Sequence, residues 1–168
     1  MFNEVNQQQK AQLSRFDKIH AQRLTDLANR LLSDKPLKVG EFFFATYYDG
    51  EPVENCKTMG CALGENALMH PQDWTIHNGY PILRELKKRL DRLNKEDVDP
   101  RVYDESLVVD ESTMRWFGLD EFEVKHLFYS RQQHPNDYGG DILDDSATRK
   151  EVGNNIVEFL KIKREATK

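Results

Sequence analysis

From Leu13 through Phe16, Ile19, Leu24, Leu27 and Leu31, apolar side chains recur at steps of three to five residues, with Gln, Lys, Arg and Asp filling the gaps. This is the period of an amphipathic helix. With Val5 ahead of it, the spacing predicts a helix from residue 4 to about residue 33, closed by Pro36 and Gly40. Residues 1–12, with Gln7-Gln8-Gln9-Lys10, carry few apolar anchors, so this end reads as a frayed extension or as an arm for homo-oligomerisation through the N-terminal helix.

The next segments are shorter. Glu41-Phe42-Phe43-Phe44-Ala45-Thr46-Tyr47-Tyr48, ended by Asp49-Gly50, is an aromatic, β-favouring run. Ser106-Leu107-Val108-Val109-Asp110 is a second strand candidate. Between them Pro81 suits the first turn of a helix in which Leu83, Leu86, Leu90 and Leu93 form a narrow apolar seam. Its other faces carry Arg84, Lys87, Lys88, Arg89 and Arg92, either a patch for an acidic partner or a solvated face balanced by Glu85 and Asp91. Further on, Asp120 with Glu123 and Thr148 with Glu151 have capping-box spacing, with Leu119 and Val124 placed as a hydrophobic staple. These signals predict a short helix to about Phe128 and a last helix with Val152, Ile156, Phe159 and Leu160 on one face. Residues 130–147 read as an exposed loop.

Charge narrows the function classes. Of 168 residues, 24 are Lys or Arg and 29 are Asp or Glu, a formal net charge of −5, which removes the attraction that drives generic nucleic-acid coating. No apolar run approaches the roughly 18–20 residues of a membrane span, and the first residues lack a signal-peptide pattern, so the expectation is a cytoplasmic chain, in the host cytoplasm if phage-encoded. There is no P-loop, dinucleotide-binding glycine motif or G-x-S-x-G, and no cofactor is expected.

The chemistry-bearing stretch is Glu54 to Leu68, with both cysteines of the chain. If Thr58 caps a helix to about Met69, Cys61 sits in its first turn, where free N–H groups and the helix dipole favour a thiolate. Cys61, Gly64 and Leu68 would also share a small-residue face suited to packing, so nucleophile and buried structural thiol both stand. A nucleophile, Cys61 or Cys56, needs a base: His70, His77, His126 and His134 are candidates, of which His126 also reads as a polar position on a short helix and His70, His77 and His134 are assigned to the site, and Asp73 or Asp137 could orient the base. Structural zinc through Cys56, Cys61, His70 and His77 is a third reading, although the spacing matches none of the recurring zinc patterns and no metal ligand is assigned. Asp137, Asp141, Asp144 and Asp145 lack the order of a calcium loop. The expected binding residues are Thr58, Gly60, Asp73, Trp74, Asp137 and Tyr138.

The order of a leucine-rich helix, an aromatic stretch, Cys56-x-Thr58-x-x-Cys61-x-x-Gly64, Phe117-Gly118-Leu119 to Leu127-Phe128, and Thr148, Val152 and Ile156 resembles a set of uncharacterised small bacterial and bacteriophage proteins. The likeness covers about residues 24–160 and rests on the C-x-T-x-x-C-x-x-G core. It implies a phage or mobile-element origin and brings no catalytic role with it. The chain differs in its longer N-terminal helix and in residues 78–110.

The sequence therefore predicts a single, compact, mainly α domain over 1–168, with five or six helices and a minor β or extended element near 42–48 and 106–109. The expected core is Leu24, Leu27, Leu31, Phe42, Phe44, Cys61, Leu63, Leu68, Trp74, Leu86, Leu90, Trp116, Phe117, Leu127, Phe128, Ile156 and Phe159. The expected function is protein binding, modulating a host or defence factor; the alternatives are a cysteine-dependent acyl or glycosyl transferase and a zinc protein.

Overall fold

The computed structural model describes residues 16–41, 47–48, 51–52, 62–93, 105–129, 143 and 147–166. Among them are six helices: α1 (Lys18–Leu32), α2 (Ala62–Met69), α3 (Arg84–Leu93), α4 (Glu105–Phe117), α5 (Glu121–Phe128) and α6 (Arg149–Ala166). Two antiparallel pairs accompany them, β1 (Tyr47–Tyr48) with β2 (Glu51–Pro52) and β3 (Trp74–His77) with β4 (Tyr80–Leu83). The protein is mainly α with minor β.

Helix α1 starts where Asp17 accepts the backbone N–H groups of Ile19 and His20 at 2.9 and 3.0 Å, while His20 Nδ1 accepts the N–H of Asp17 at 3.2 Å. This is a capping box with histidine in the place of glutamate. These bonds, that from the His20 N–H foremost, hold the Asp17 carboxyl below its ordinary pKa. Leu24, Leu27, Ala28 and Leu31 are buried, as the helical period requires. Helix α6 runs antiparallel to α1 and is its main partner. The two come close at Gly153, where a Cβ would stand 2.9 Å from Leu32 Cγ and 3.2 Å from Leu31 Cβ. At its start, Arg149 reaches across to the C-terminal end of α1 and donates to the carbonyls of Leu31, Lys35, Arg30 and Ser33 at 2.6 to 3.0 Å.

Both predicted capping boxes are present. Asp120 accepts from the Glu123 N–H at 2.8 Å and Glu123 returns the contact at 3.0 Å. Leu119 and Val124, the staple residues, are buried. Thr148 N–H donates to Glu151 at 2.7 Å, and the Glu151 N–H to Thr148 Oγ1 at 3.3 Å; the Thr148 bonds hold the Glu151 carboxyl below its ordinary value.

Three assignments are corrected. Phe16 and Asp17, within the helix predicted from residue 4 to about residue 33, are not helical, because Asp17 is extended as the N-cap from which α1 begins. Residues 106–109 are helical, part of α4, because Val108, Val109, Ser112, Thr113, Trp116 and Phe117 bury one helical stripe. That burial outweighs the β preference of Leu107-Val108-Val109. Pro81 lies in a strand rather than in a helix. Asn78 at φ +50° and Gly79 at φ +85° make a two-residue turn of the type that suits hairpin twist, with His77 opposite Tyr80 and Ile76 opposite Pro81. The Ile76–Pro81 pair falls at a non-hydrogen-bonded position, so the missing proline N–H breaks no rung. Helix α3 begins only at Arg84, and the Leu83 N–H donates to the buried Ser112 hydroxyl at 3.0 Å.

The hairpin β3–β4 lies against α2, α3 and α4. The buried core takes in Leu24, Leu27, Leu31, Leu63, Trp74, Leu86, Leu90, Trp116, Phe117, Leu127, Phe128 and Ile156 as expected. Leu68 and Phe159 are only half-buried. Phe42, Phe44 and Cys61 lie outside the described residues, as do residues 1–12 and most of the 130–147 loop.

Candidate functional site

Asn66 on α2 and His70, the residue just after it, are one turn apart, joined by the His70 N–H to the Asn66 carbonyl at 3.1 Å, and therefore share a face. The helix ends there: the His70 carbonyl accepts the N–H groups of Asp73 and Trp74 at 3.1 and 3.0 Å, turning the chain into β3. This turn sets the His70 ring 5.1 Å from that of Trp116, centroid to centroid, and Trp74 lies edge-on to Trp116 at 5.8 Å. On Trp116, the Arg23 guanidinium from α1 lies 3.6 Å from the ring centroid and donates to the Trp116 carbonyl at 2.9 Å.

The buried side-chain nitrogens and oxygens without a hydrogen-bond partner among the described residues all belong to these residues: both ends of the Asn66 amide, His70 Nε2, Trp74 Nε1 and Trp116 Nε1. Buried polar groups are rarely left so, and a concentration of them marks a place where packing is not the only demand on the sequence. Burial pushes the His70 pKa down, with Arg23 adding to the shift and the Asp73 carboxylate opposing it, so the imidazole is neutral at neutral pH.

Beside this cluster a cleft of about 380 Å³ is walled by Trp116 and Leu83. Four cations line it, Arg23, Arg84, Lys88 and Arg115, against two carboxylates, Asp73 and Glu85.

A second, larger groove of about 520 Å³ lies at the corner between α4 and α5. Gly118 makes that corner with φ +65°, and the Leu119 N–H returns to the Met114 carbonyl at 3.1 Å, the pattern of a Schellman stop. Asp120 then caps α5 at once. Met114 and Leu119 supply the apolar lining, while Glu111, Asp120, Glu121 and Glu123 face Arg115 and His20. The charges are ordered by ion pairs: Glu111 with Arg115 at 2.6 Å, Glu121 with Lys125 at 2.7 Å, and Glu123 with Lys163. Two side chains next in sequence to this lining are large, apolar and open, Ile19 at 61% and Phe122 at 57% exposure.

Of the residues predicted for the site, the structure brings His70, Asp73 and Trp74 together, while His77 sits at the turn end of β3 opposite Tyr80. Cys56, Cys61, Thr58, Gly60, His134, Asp137 and Tyr138 lie outside the described residues. Among the described residues no three His, Cys, Asp or Glu side chains are grouped to hold a metal ion. No helix among them is long and apolar enough to cross a membrane. Sequence reasoning treated Trp116 as core alone and passed over Arg23 and Asn66. Their roles come from contacts across 93 residues of chain and from burial, neither of which leaves a local signal. Compared with protein-family models, curated proteins and solved structures, the chain matches none of them.

Proposed function

We propose that the protein acts by binding another protein, and that the groove at the α4–α5 corner receives a short basic segment carrying an apolar anchor. The observation that carries this reading is the groove itself: about 520 Å³, an apolar lining of Met114 and Leu119, and four lining carboxylates against Arg115 and His20. Grooves of this size suit one or two anchor side chains, and exposed apolar residues beside them add contact area. Carboxylates already in ion pairs keep acceptor capacity for a further Lys or Arg, and the net charge of −5 steers a basic partner toward the protein. With the mobile-element resemblance, the partner in view is a host or defence factor.

Selection from a random peptide display library tests the reading. Enriched peptides are expected to combine an apolar anchor with flanking Lys or Arg, and to bind Met114→Glu and Phe122→Glu variants roughly tenfold more weakly or worse. No enrichment, or peptides indifferent to both substitutions, overturns it.

A second reading, cysteine-dependent acyl or glycosyl transfer, is favoured by one observation. His70, its pKa lowered by burial, has no partner at Nε2 among the described residues and directly follows the eight-residue helix whose first residue comes after Cys61. Alkylation by iodoacetamide across pH decides this. The reading requires Cys61 to react below the usual thiol range of about 8–9, and His70→Gln to abolish that advantage. Ordinary thiol behaviour at both cysteines removes it.

A further inference from the structure

The chain is acidic overall, yet the 380 Å³ cleft beside Trp116 reverses that sign, with Arg23, Arg84, Lys88 and Arg115 against Asp73 and Glu85. We propose that this cleft binds the phosphate group of a small phosphomonoester.

The three arginines are held in place before any ligand arrives. Arg84 Nε donates to the Pro71 carbonyl at 2.9 Å, which fixes the guanidinium and leaves its two terminal nitrogens free of partners among the described residues. Arg23 is fixed on the Trp116 ring and carbonyl by one terminal nitrogen, and its other terminal nitrogen and Nε have no acceptor among the described residues. Arg115 is shared between Glu85 at 3.3 Å and Glu111 at 2.6 Å. The Lys88 ammonium forms no ion pair among the described residues, although Lys87, next to it, is taken by Asp91 at 2.7 Å. Guanidinium groups with a fixed plane and open N–H donors are suited to phosphate oxygens, because little freedom is lost on binding.

Helix α3 adds to this. It is ten residues long and opens on the cleft with Arg84, Glu85 and Lys88 in its first turn and a half. The Arg84 N–H is used by the Asp73 carbonyl at 2.8 Å, but the next first-turn N–H groups have no acceptor within the helix, and the positive end of its dipole lies at the cleft. A phosphomonoester carries about −1.5 to −2 charge at neutral pH and so gains more than a monocarboxylate from a lining with four cations against Asp73 and Glu85, even with Glu111 drawing on Arg115. The volume exceeds what one phosphate fills. Trp116 and Leu83 give the remainder an apolar wall, so the body of the ligand is a small organic group rather than a second anion.

The test is an NMR titration of the whole chain at constant ionic strength, following the amides of Glu85 and Lys88 and the Arg84 Nε–H. Inorganic phosphate and phenyl phosphate are the probes, with acetate as the carboxylate arm. Saturable shifts are expected with phosphate at a dissociation constant of about 1 mM, and roughly tenfold tighter with phenyl phosphate. Arg84→Gln and Lys88→Gln, both at exposed positions, should each weaken binding about tenfold while the rest of the spectrum stays in place. Lys88→Arg should retain it. Equal binding of acetate, shifts that grow linearly without saturating, or indifference to both Gln variants each overturns the proposal. Phosphate and phenyl phosphate bound equally well overturns the phosphomonoester in favour of the free anion.

Discussion

Arg30 donates its Nε–H to Glu65 at 2.6 Å, and the Glu65 side chain is wholly buried while Arg30 keeps 19% of its surface in solvent. The other Glu65 oxygen accepts the Val39 N–H at 3.0 Å, so one carboxylate joins α1, α2 and the chain after α1. The two partners are unequal: Arg30 without Glu65 can reach water, whereas Glu65 without Arg30 is an unpaired charge in the core. Arg30→Met is therefore expected to cost about 3–5 kcal/mol and Glu65→Leu less, about 2–3 kcal/mol. The double variant should lose clearly less than the two together, with a coupling of roughly 1–3 kcal/mol, because no charge is left stranded. Urea unfolding of the three variants checks this, and additive losses would rule out the pair as a unit.

Arg149 does for the end of α1 what a capping residue does from within a helix. Its guanidinium collects the Arg30 and Leu31 carbonyls of the last helical turn and the Ser33 and Lys35 carbonyls just beyond it, and it holds α6 to α1 by the same bonds. Arg149→Ala should cost about 2–3 kcal/mol. Arg149→Lys should recover less than half, since an ammonium cannot span four carbonyls in one plane. Thermal unfolding of both variants gives the comparison, and equal stability of the Lys variant and the parent would contradict the clasp.

What was legible in the sequence was local. Asp120 with Glu123 and Thr148 with Glu151 lie within one turn, and their reciprocal bonds form as the spacing predicts. The hairpin was equally local, carried by Asn78-Gly79, but the leucine period from Leu83 to Leu93 drew the predicted helix back over Pro81. Helix α4 was readable only by following Val108-Val109 on to Trp116-Phe117, where the strand period fails and the helical one continues. The site was the least legible part. His70, Asp73 and Trp74 drew attention as residue types, yet Arg23 reaches Trp116 from another helix, and nothing near Glu65 announces that Arg30, 35 residues earlier, will neutralise it.

His70 gives the pH dependence a definite sign. Its folded pKa lies below the ordinary 6.5, first because burial penalises the imidazolium. The unfolded chain then binds the proton more readily than the folded one. The contribution of His70 to stability is complete above about pH 6.5 and is lost as the pH falls through the depressed value. Asp17 and Glu151, whose carboxyls are lowered, give up theirs only in the acid range, below about pH 4. Between about pH 7.5 and about pH 5.5 the melting temperature of the parent should therefore fall further than that of His70→Gln. A His70 NMR titration should show its midpoint below 6.5. Parallel melting curves for the two proteins, or a midpoint above 6.5, would contradict the burial of the ring.

Asn66 poses the sharpest conflict between folding and anything else the protein does. It is wholly buried, and neither end of its amide has a partner among the described residues. An unsatisfied buried amide costs about 1–3 kcal/mol by protein mutational measures, whereas leucine, with the same branching and no polar atom, would cost nothing of that kind. Asn66→Leu is expected to stabilise the fold by about 1 kcal/mol, and Asn66→Asp to destabilise it by several, since it places an unpaired charge where a neutral amide is already poorly served. Denaturant midpoints measure both. A loss of stability in Asn66→Leu would mean that the amide is satisfied in the folded chain. A gain accompanied by loss of peptide binding or of Cys61 reactivity would show that the asparagine is kept for function at the expense of stability, the trade expected where a sequence breaks its own packing rules.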